Sequence, residues 1–151
     1  MVNNNLVPYC RSSRITLSDT SGGCPLFVRS IDDVIGTDLD VQWGAGRSRR
    51  LIVRSDGMGF AVAETQVLPG TDVFLEYKNH LEACYCIAGT GEIIDSTGKV
   101  YPIFPRVIYA LDQHDKHHLR ALTEMRLLSI FCPPIHGHER HALHPGQTSS
   151  Y

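Results

Sequence analysis

From Phe27 to Phe131 apolar and polar residues alternate in short runs broken by glycine and proline, a period-of-two pattern that predicts strands. Strands are expected at Phe27–Ile31 (an edge strand), Arg50–Arg54, Phe60–Leu68, Val73–Tyr77, Ala83–Ile87, Glu92–Ile94, Val100–Ile103, Val107–Leu111, His118–Leu122 and Met125–Phe131. Ser55-Asp56-Gly57, Pro69-Gly70, Gly89-Thr90-Gly91 and Ser96-Thr97-Gly98 supply turns. Ile31–Val34 reads as a short helix, and Asp40–Gly46 as a Gly-rich loop carrying the only tryptophan, Trp43. Helical periodicity is not sustained anywhere between Arg50 and Phe131. The pattern predicts an all-β domain, a single barrel or double-sheet jelly roll, which also removes exposed strand edges.

A length of 151 residues suits one domain with a real core. Net charge is -2 and no basic stripe runs along the chain, so nucleic acid is not an expected partner. Apolar runs fall well short of the roughly 20 residues that cross a membrane as a helix. The five cysteines are odd in number and contain no C-x-x-C pair. Cys84 and Cys86 are expected to share one strand face as small hydrophobes, too close along one chain for a comfortable disulfide. That usage points to a reducing, cytoplasmic setting. Residues 1–26 are polar, carry Arg11 and Arg14, and have no apolar stretch of the secretory type. They read as a loose or disordered extension before a domain over 27–144 and a tail over 145–151.

The chemistry concentrates between Gly70 and Gly89. Gly70, Glu76, Lys78, Glu82 and Gly89 match the spacing of the first cupin motif, in which the positions of Glu76 and Lys78 are usually metal-binding histidines. The glutamate alone survives, as Glu82. In the second motif, Pro105-Arg106-Val107-Ile108-Tyr109 replaces a Pro-Gly turn and its downstream histidine, and Tyr109 takes the ligand position. His117 follows eight residues later, flanked by His114 and His118, either of which competes for the same role. Glu82, Tyr109 and His117 would offer a carboxylate, a phenolate and an imidazole. That donor set suits Fe(II), Zn(II) or Mn(II) and leaves positions open for water or substrate. A cation would help ionise a phenol whose free pKa is about 10. The competing readings are a salt-bridged strand carboxylate for Glu82 and a core aromatic with a satisfied hydroxyl for Tyr109.

Longer motifs carry a more specific resemblance. Tyr77-Lys78-Asn79-His80-Leu81-Glu82-Ala83-Cys84-Tyr85-Cys86-Ile87, Gly89-Thr90-Gly91-Glu92, Tyr109-Ala110-Leu111-Asp112-Gln113-His114-Asp115-Lys116-His117 and Phe131-Cys132-Pro133-Pro134 together resemble the ectoine synthase family, from about Phe27 to His141. The resemblance implies a homodimeric, cytoplasmic cupin lyase of compatible-solute synthesis. Such an enzyme closes N-γ-acetyl-L-2,4-diaminobutyrate to ectoine with loss of water. It implies iron held by Glu82, Tyr109 and His117, and a substrate pocket drawn from Trp43, Arg50, Thr65, Tyr77, His80, Leu111, Phe131, Glu139 and His141. Tyr77 and Glu139 are the acid/base candidates. The chain departs from the family pattern at Ala63, where a polar residue is usual, and at Arg106, where glycine is usual. Around the tryptophan, ungapped alignment on Arg50 brings Gly46 to its position; either Trp43 reaches the pocket from a re-registered loop or Arg47 replaces Arg50. These departures keep two alternatives open: an enzyme acting on a related amide or amino acid, and a non-catalytic solute-binding cupin.

Overall fold

Between the turns the chain pairs into two antiparallel sheets, in a computed structural model that describes residues 26–141. The strands are β1 (Asp40–Gln42), β2 (Gly46–Ile52), β3 (Ala61–Val67), β4 (Asp72–Leu75), β5 (Leu81–Ala88), β6 (Gly91–Asp95), β7 (Val100–Ile103), β8 (Ile108–Leu111), β9 (His117–Ala121) and β10 (Met125–Cys132). One sheet runs β1-β2-β3-β10-β5-β8 and the other β4-β9-β6-β7. Alternation sends every second residue inward, so Ala61, Val67, Cys86, Leu127 and Phe131 of the first sheet meet Leu75, Ile93, Ile103, Leu119 and Ala121 of the second in one core. The all-β, jelly-roll expectation holds. The expected extension and tail lie outside the described residues, apart from Leu26.

Three local expectations change. Phe27–Ile31 is not a strand: the Arg29 guanidinium bonds Asp56 and the Leu51 carbonyl, while Ser30 caps the helix α1 (Ile31–Val34). The cap is reciprocal, with Asp33 N–H donating to Ser30 Oγ at 3.3 Å and Ser30 N–H to Asp33 Oδ2 at 2.8 Å. The Asp40–Gly46 loop contains strand β1, and β2 begins at Gly46 rather than Arg50. Ser55–Gly57 closes a 3-10 turn over Arg54–Asp56, ended by Gly57 at φ 75°, rather than a hairpin.

Gly46 and Trp43 both meet Gln66. At φ 155° a Cβ on Gly46 would collide with the Gln66 carbonyl of the adjacent strand, so no side chain fits in this conformation. The Trp43 indole N–H donates to that same carbonyl at 3.2 Å. At the other flagged departure the turn keeps its shape without its glycine: Arg106 adopts φ 80°, a left-handed conformation that disfavours any residue with a Cβ.

Candidate active site

Register decides which polar residues share the barrel interior. Across the larger sheet Tyr109 pairs with Cys84, Cys84 with Ser129, Ser129 with Ala63, and Ala63 with Arg50. One residue pair further along, Leu111, Glu82, Phe131 and Ala61 form the neighbouring row. Glu82 and Tyr109 thus point inward from adjacent strands of one sheet. His117 enters from the other sheet, opposite Leu75 and Asp95.

A cavity of about 20 Å³ lies among Glu82, Cys84, Tyr109, Ser129, Thr65 and Phe131, closed above by Trp43, Tyr77 and His141. It has room for about one water-sized body, a cation included. A buried chain of hydrogen bonds runs along its floor: Thr65 Oγ1 with Ser129 Oγ at 3.0 Å, Ser129 Oγ with Cys84 Sγ at 3.1 Å, and the Cys84 thiol donating to Glu82 Oε1 at 3.3 Å. Tyr109 pairs with Cys84 across the two strands and lines the same cavity. Burial pushes the Glu82 carboxyl up to about 7, against the pull of Cys84 and Ser129. Burial also raises the Tyr109 phenol, with Cys84 and Glu82 adding to it.

His117 is 2% exposed and burial lowers its pKa, so its ring is neutral. Its Nδ1 is bonded to the Asp115 carbonyl at 2.9 Å, which leaves Nε2 as the acceptor. That Nε2 is buried without a hydrogen-bond partner. An orphaned imidazole nitrogen, a carboxyl whose charge is disfavoured and a buried phenol are the groups that a divalent cation would satisfy together. Among the described residues no three His, Cys, Asp or Glu side chains form a metal cluster by themselves; the trio reaches three donors by counting the phenol. The donor types fit such a cation.

The cap is aromatic. Trp43 and His141 rings lie 4.8 Å apart, Tyr77 and His141 5.4 Å, and Tyr77 and His117 6.2 Å. Tyr77 Oη meets His141 Nδ1 at 3.4 Å. Burial first, then Arg50 and His117, lower the His141 pKa to about 3, so it too is a neutral ring. Arg50, fully buried, holds the segment that carries His141. Its guanidinium donates to the Glu139 carbonyl at 2.7 Å and lies 3.6 Å from the Glu139 carboxylate. That carboxylate accepts the backbone N–H groups of His136 at 2.6 Å and Gly137 at 2.8 Å. Burial would raise its pKa, but these bonds, with the His136 side chain, pull it down to about 2.

Of the residues singled out from sequence, Glu82, Tyr109, Thr65, Tyr77, Phe131, His141 and Trp43 line the cavity. His117 and Leu111 line a wider adjoining cleft of about 550 Å³ between β7 and β8. Arg50, His80 and Glu139 stand outside both linings; His80 Nδ1 bonds the Pro133 carbonyl at 2.6 Å. Of the two histidines that competed with His117, His118 is exposed and pairs with Asp72, while His114 bonds the Tyr77 carbonyl. Arg47 is not a substitute for Arg50, because it pairs with Asp40 on the outer surface. Reading the residues one at a time missed Cys84 and Ser129 as polar members of the site. The signal was present for Cys84, which shares a face with Glu82 two positions away.

Comparison with known proteins gives a consistent result. The family model for ectoine synthase matches residues 26–148. The L-ectoine synthase of Desulfatibacillum aliphaticivorans is 51% identical over 119 residues, which cover 77% of this chain and 92% of that protein. That of Halalkalibacterium halodurans is 50% identical over 115 residues, 76% of this chain and 89% of the relative. Among solved structures, the crystal structure of ectoine synthase from P. lautus superposes with a TM-score of 0.72 at 44% identity, covering 74% of this chain and 81% of that one. A Klebsiella pneumoniae protein with a double-stranded β-helix domain, 13% identical at a TM-score of 0.55, shares the barrel fold alone.

Proposed function

The chain belongs to the ectoine synthase family of cupin-type lyases, and from that premise we propose that it closes N-γ-acetyl-L-2,4-diaminobutyrate to the cyclic amidine ectoine with loss of water. The observation that supports this most is an inward carboxyl and an inward phenol lining one small aromatic-capped cavity, with the orphaned imidazole nitrogen of His117 in the adjoining cleft that Tyr109 also lines. In the reaction the free amine attacks the acetamide carbonyl carbon of the same molecule and a C–N bond forms. The carbonyl oxygen then leaves as water, taking both protons of the attacking nitrogen. Holding the two ends of one molecule together makes the attack intramolecular, an advantage that can approach several kcal/mol.

Glu82, Tyr109 and His117 would hold the metal, Fe(II) by family analogy with Zn(II) or Mn(II) as substitutes, and it would supply Lewis acidity to the amide oxygen. The chain's own groups do the rest. Trp43, Tyr77 and His141 exclude water and fold the substrate. Tyr77, whose hydroxyl meets the neutral His141 ring, is the proton-carrying group at the cavity. Glu139 is ionised and fully engaged with backbone donors, so it serves with Arg50 as an anchor for the cap rather than as an acid. A substrate of this size exceeds the cavity volume, so entry requires the His141 segment to yield.

The test is anaerobic incubation of Fe(II)-loaded protein with the acetylated diamine, following ectoine by proton NMR. Ectoine should form with wild type and not with Glu82→Ala; no product from wild type overturns the reading. A related amide substrate is favoured by one observation: Ala63, fully buried between Arg50 and Ser129, stands where a polar residue is usual in the family. Faster turnover of a glutamine-like amide than of the acetylated diamine would select it. Family analogy also points to a cytoplasmic homodimer serving osmotic protection; light scattering at a monomer mass would remove the dimer.

A further inference from the structure

We propose that Cys84 is a positioning residue that sets the spacing of Glu82 and Tyr109, with Ser129 and Thr65 holding its thiol in register. This rests on the reading above that Glu82, Tyr109 and His117 hold a divalent cation. Buried cysteines ordinarily act as small hydrophobes. Cys86 is the internal control for that role: it faces inward from the same strand two residues on, and among the described residues its thiol reaches only the backbone carbonyls of Ala88 at 3.5 Å and Gly89 at 3.7 Å.

Cys84 differs in its partners. It stands in the row between Tyr109 and Ser129, and its sulfur meets the Glu82 carboxyl and the Ser129 hydroxyl, with Tyr109 on the neighbouring strand lining the same cavity. A thiol has one proton, and here it is given to Glu82 Oε1. The Ser129 hydroxyl must then donate to the sulfur, and Ser129 is left to accept from Thr65. All donors in the chain therefore point toward Glu82. The thiol engages Oε1 of Glu82, so the carboxyl is held against a sulfur that Ser129 supports, beside Tyr109 in the same row. Groups that orient metal ligands in this way are commonly worth 10–100-fold in metal affinity.

The experiment is an anaerobic Co(II) titration of metal-free protein, read by the visible d–d absorption band, alongside thermal melts of the metal-free forms. Cys84→Val removes the donor at nearly constant volume and should weaken Co(II) binding about 10–100-fold and shift the band. Cys84→Ser keeps a donor and should recover most of the affinity. Cys86→Val should bind Co(II) as wild type does. If Cys84→Val does not fold, Ser129→Ala, which keeps the thiol and removes its support, should weaken binding in the same direction by a smaller factor. Wild-type affinity and spectrum in Cys84→Val, or an equal loss in Cys86→Val, overturns the positioning role. Wild type that binds Co(II) in a Cys84-dependent way yet makes no ectoine with Fe(II) overturns the proposed reaction alone. Ectoine formation beside an unchanged Cys84→Val affinity overturns the positioning role alone, and failure of wild type to take up Co(II) overturns it together with the metal trio.

Discussion

The two faces of the six-stranded sheet use the same kinds of residue to opposite ends. Outward, Arg47 and Arg49 reach Asp40 at 2.8 and 3.7 Å, and Arg49 and Arg126 reach Glu64 at 3.5 and 2.6 Å, so each acid has two arginines. Inward, on the other face of the same sheet, Glu82, Cys84, Ser129 and Thr65 are linked by hydrogen bonds beside Tyr109. The outer ladder keeps its charges: its arginines are partly exposed, while the Asp40 and Glu64 carboxylates are largely buried, each between two guanidiniums. The inner row is held in a low dielectric, where burial pushes Glu82 up to about 7. Charge is neutralised in the first region by residues of the chain. In the second, burial disfavours the charge on Glu82 and the thiol of Cys84 meets it with a hydrogen bond rather than an ion pair.

The sharpest way to break the contrast is inside. Glu82→Gln keeps the shape and removes the charge, and it should lower both metal affinity and ectoine formation by more than about 10²-fold, beyond the effect typical of groups that only orient ligands. Unchanged Co(II) binding would show that the inner carboxyl is no ligand. Next comes the anchor between the regions. Glu139→Ala removes the carboxylate beside the buried Arg50 guanidinium and should cost about 3–5 kcal/mol in urea unfolding. Its pH dependence has a definite sign. A carboxyl held at about 2 binds its proton more weakly folded than unfolded, so its contribution is complete above the ordinary value near 4.5 and is lost as pH falls toward 2. The stability gap between wild type and Glu139→Gln should therefore narrow between pH 5 and pH 2; a constant gap would deny the shift.

Smaller effects sharpen the comparison. Arg106→Gly relieves a left-handed conformation at φ 80° and should stabilise the fold by about 1 kcal/mol, read as a higher melting temperature. A lower one would mean that the arginine side chain contributes something the turn needs. Smallest is the outer ladder: Arg126→Ala should change stability by no more than about 1 kcal/mol, less in high salt, and leave turnover unchanged.

Much of this was legible along the chain. Val100–Ile103 is a strand with the bounds its pattern predicts, and the turn signals bound most of the others. Strand β1 was hidden because Asp40–Gly46 has the composition of a loop and pairs only through β2. Phe27–Ile31 misled in the other direction: its alternation is genuine, but Arg29 spends its donors on Asp56 and Leu51 rather than on a ladder. Glu82 and Cys84 share a face by alternation alone, whereas the role of Cys84 needed Ser129, which is 45 residues away.

Local chemistry, then, determined the strand alternation, the turns and the family motifs, because these depend on neighbours within a few residues. Which residues meet was decided by register and by the closing of two sheets. A one-residue slip of β10 would turn Ser129 and Phe131 outward and strip the floor from the cavity. His117 enters from the side opposite Glu82 and Tyr109 because β9 belongs to the other sheet, and Trp43 lines the cavity from the turn before Gly46, whose backbone lies too close to Gln66 for a side chain.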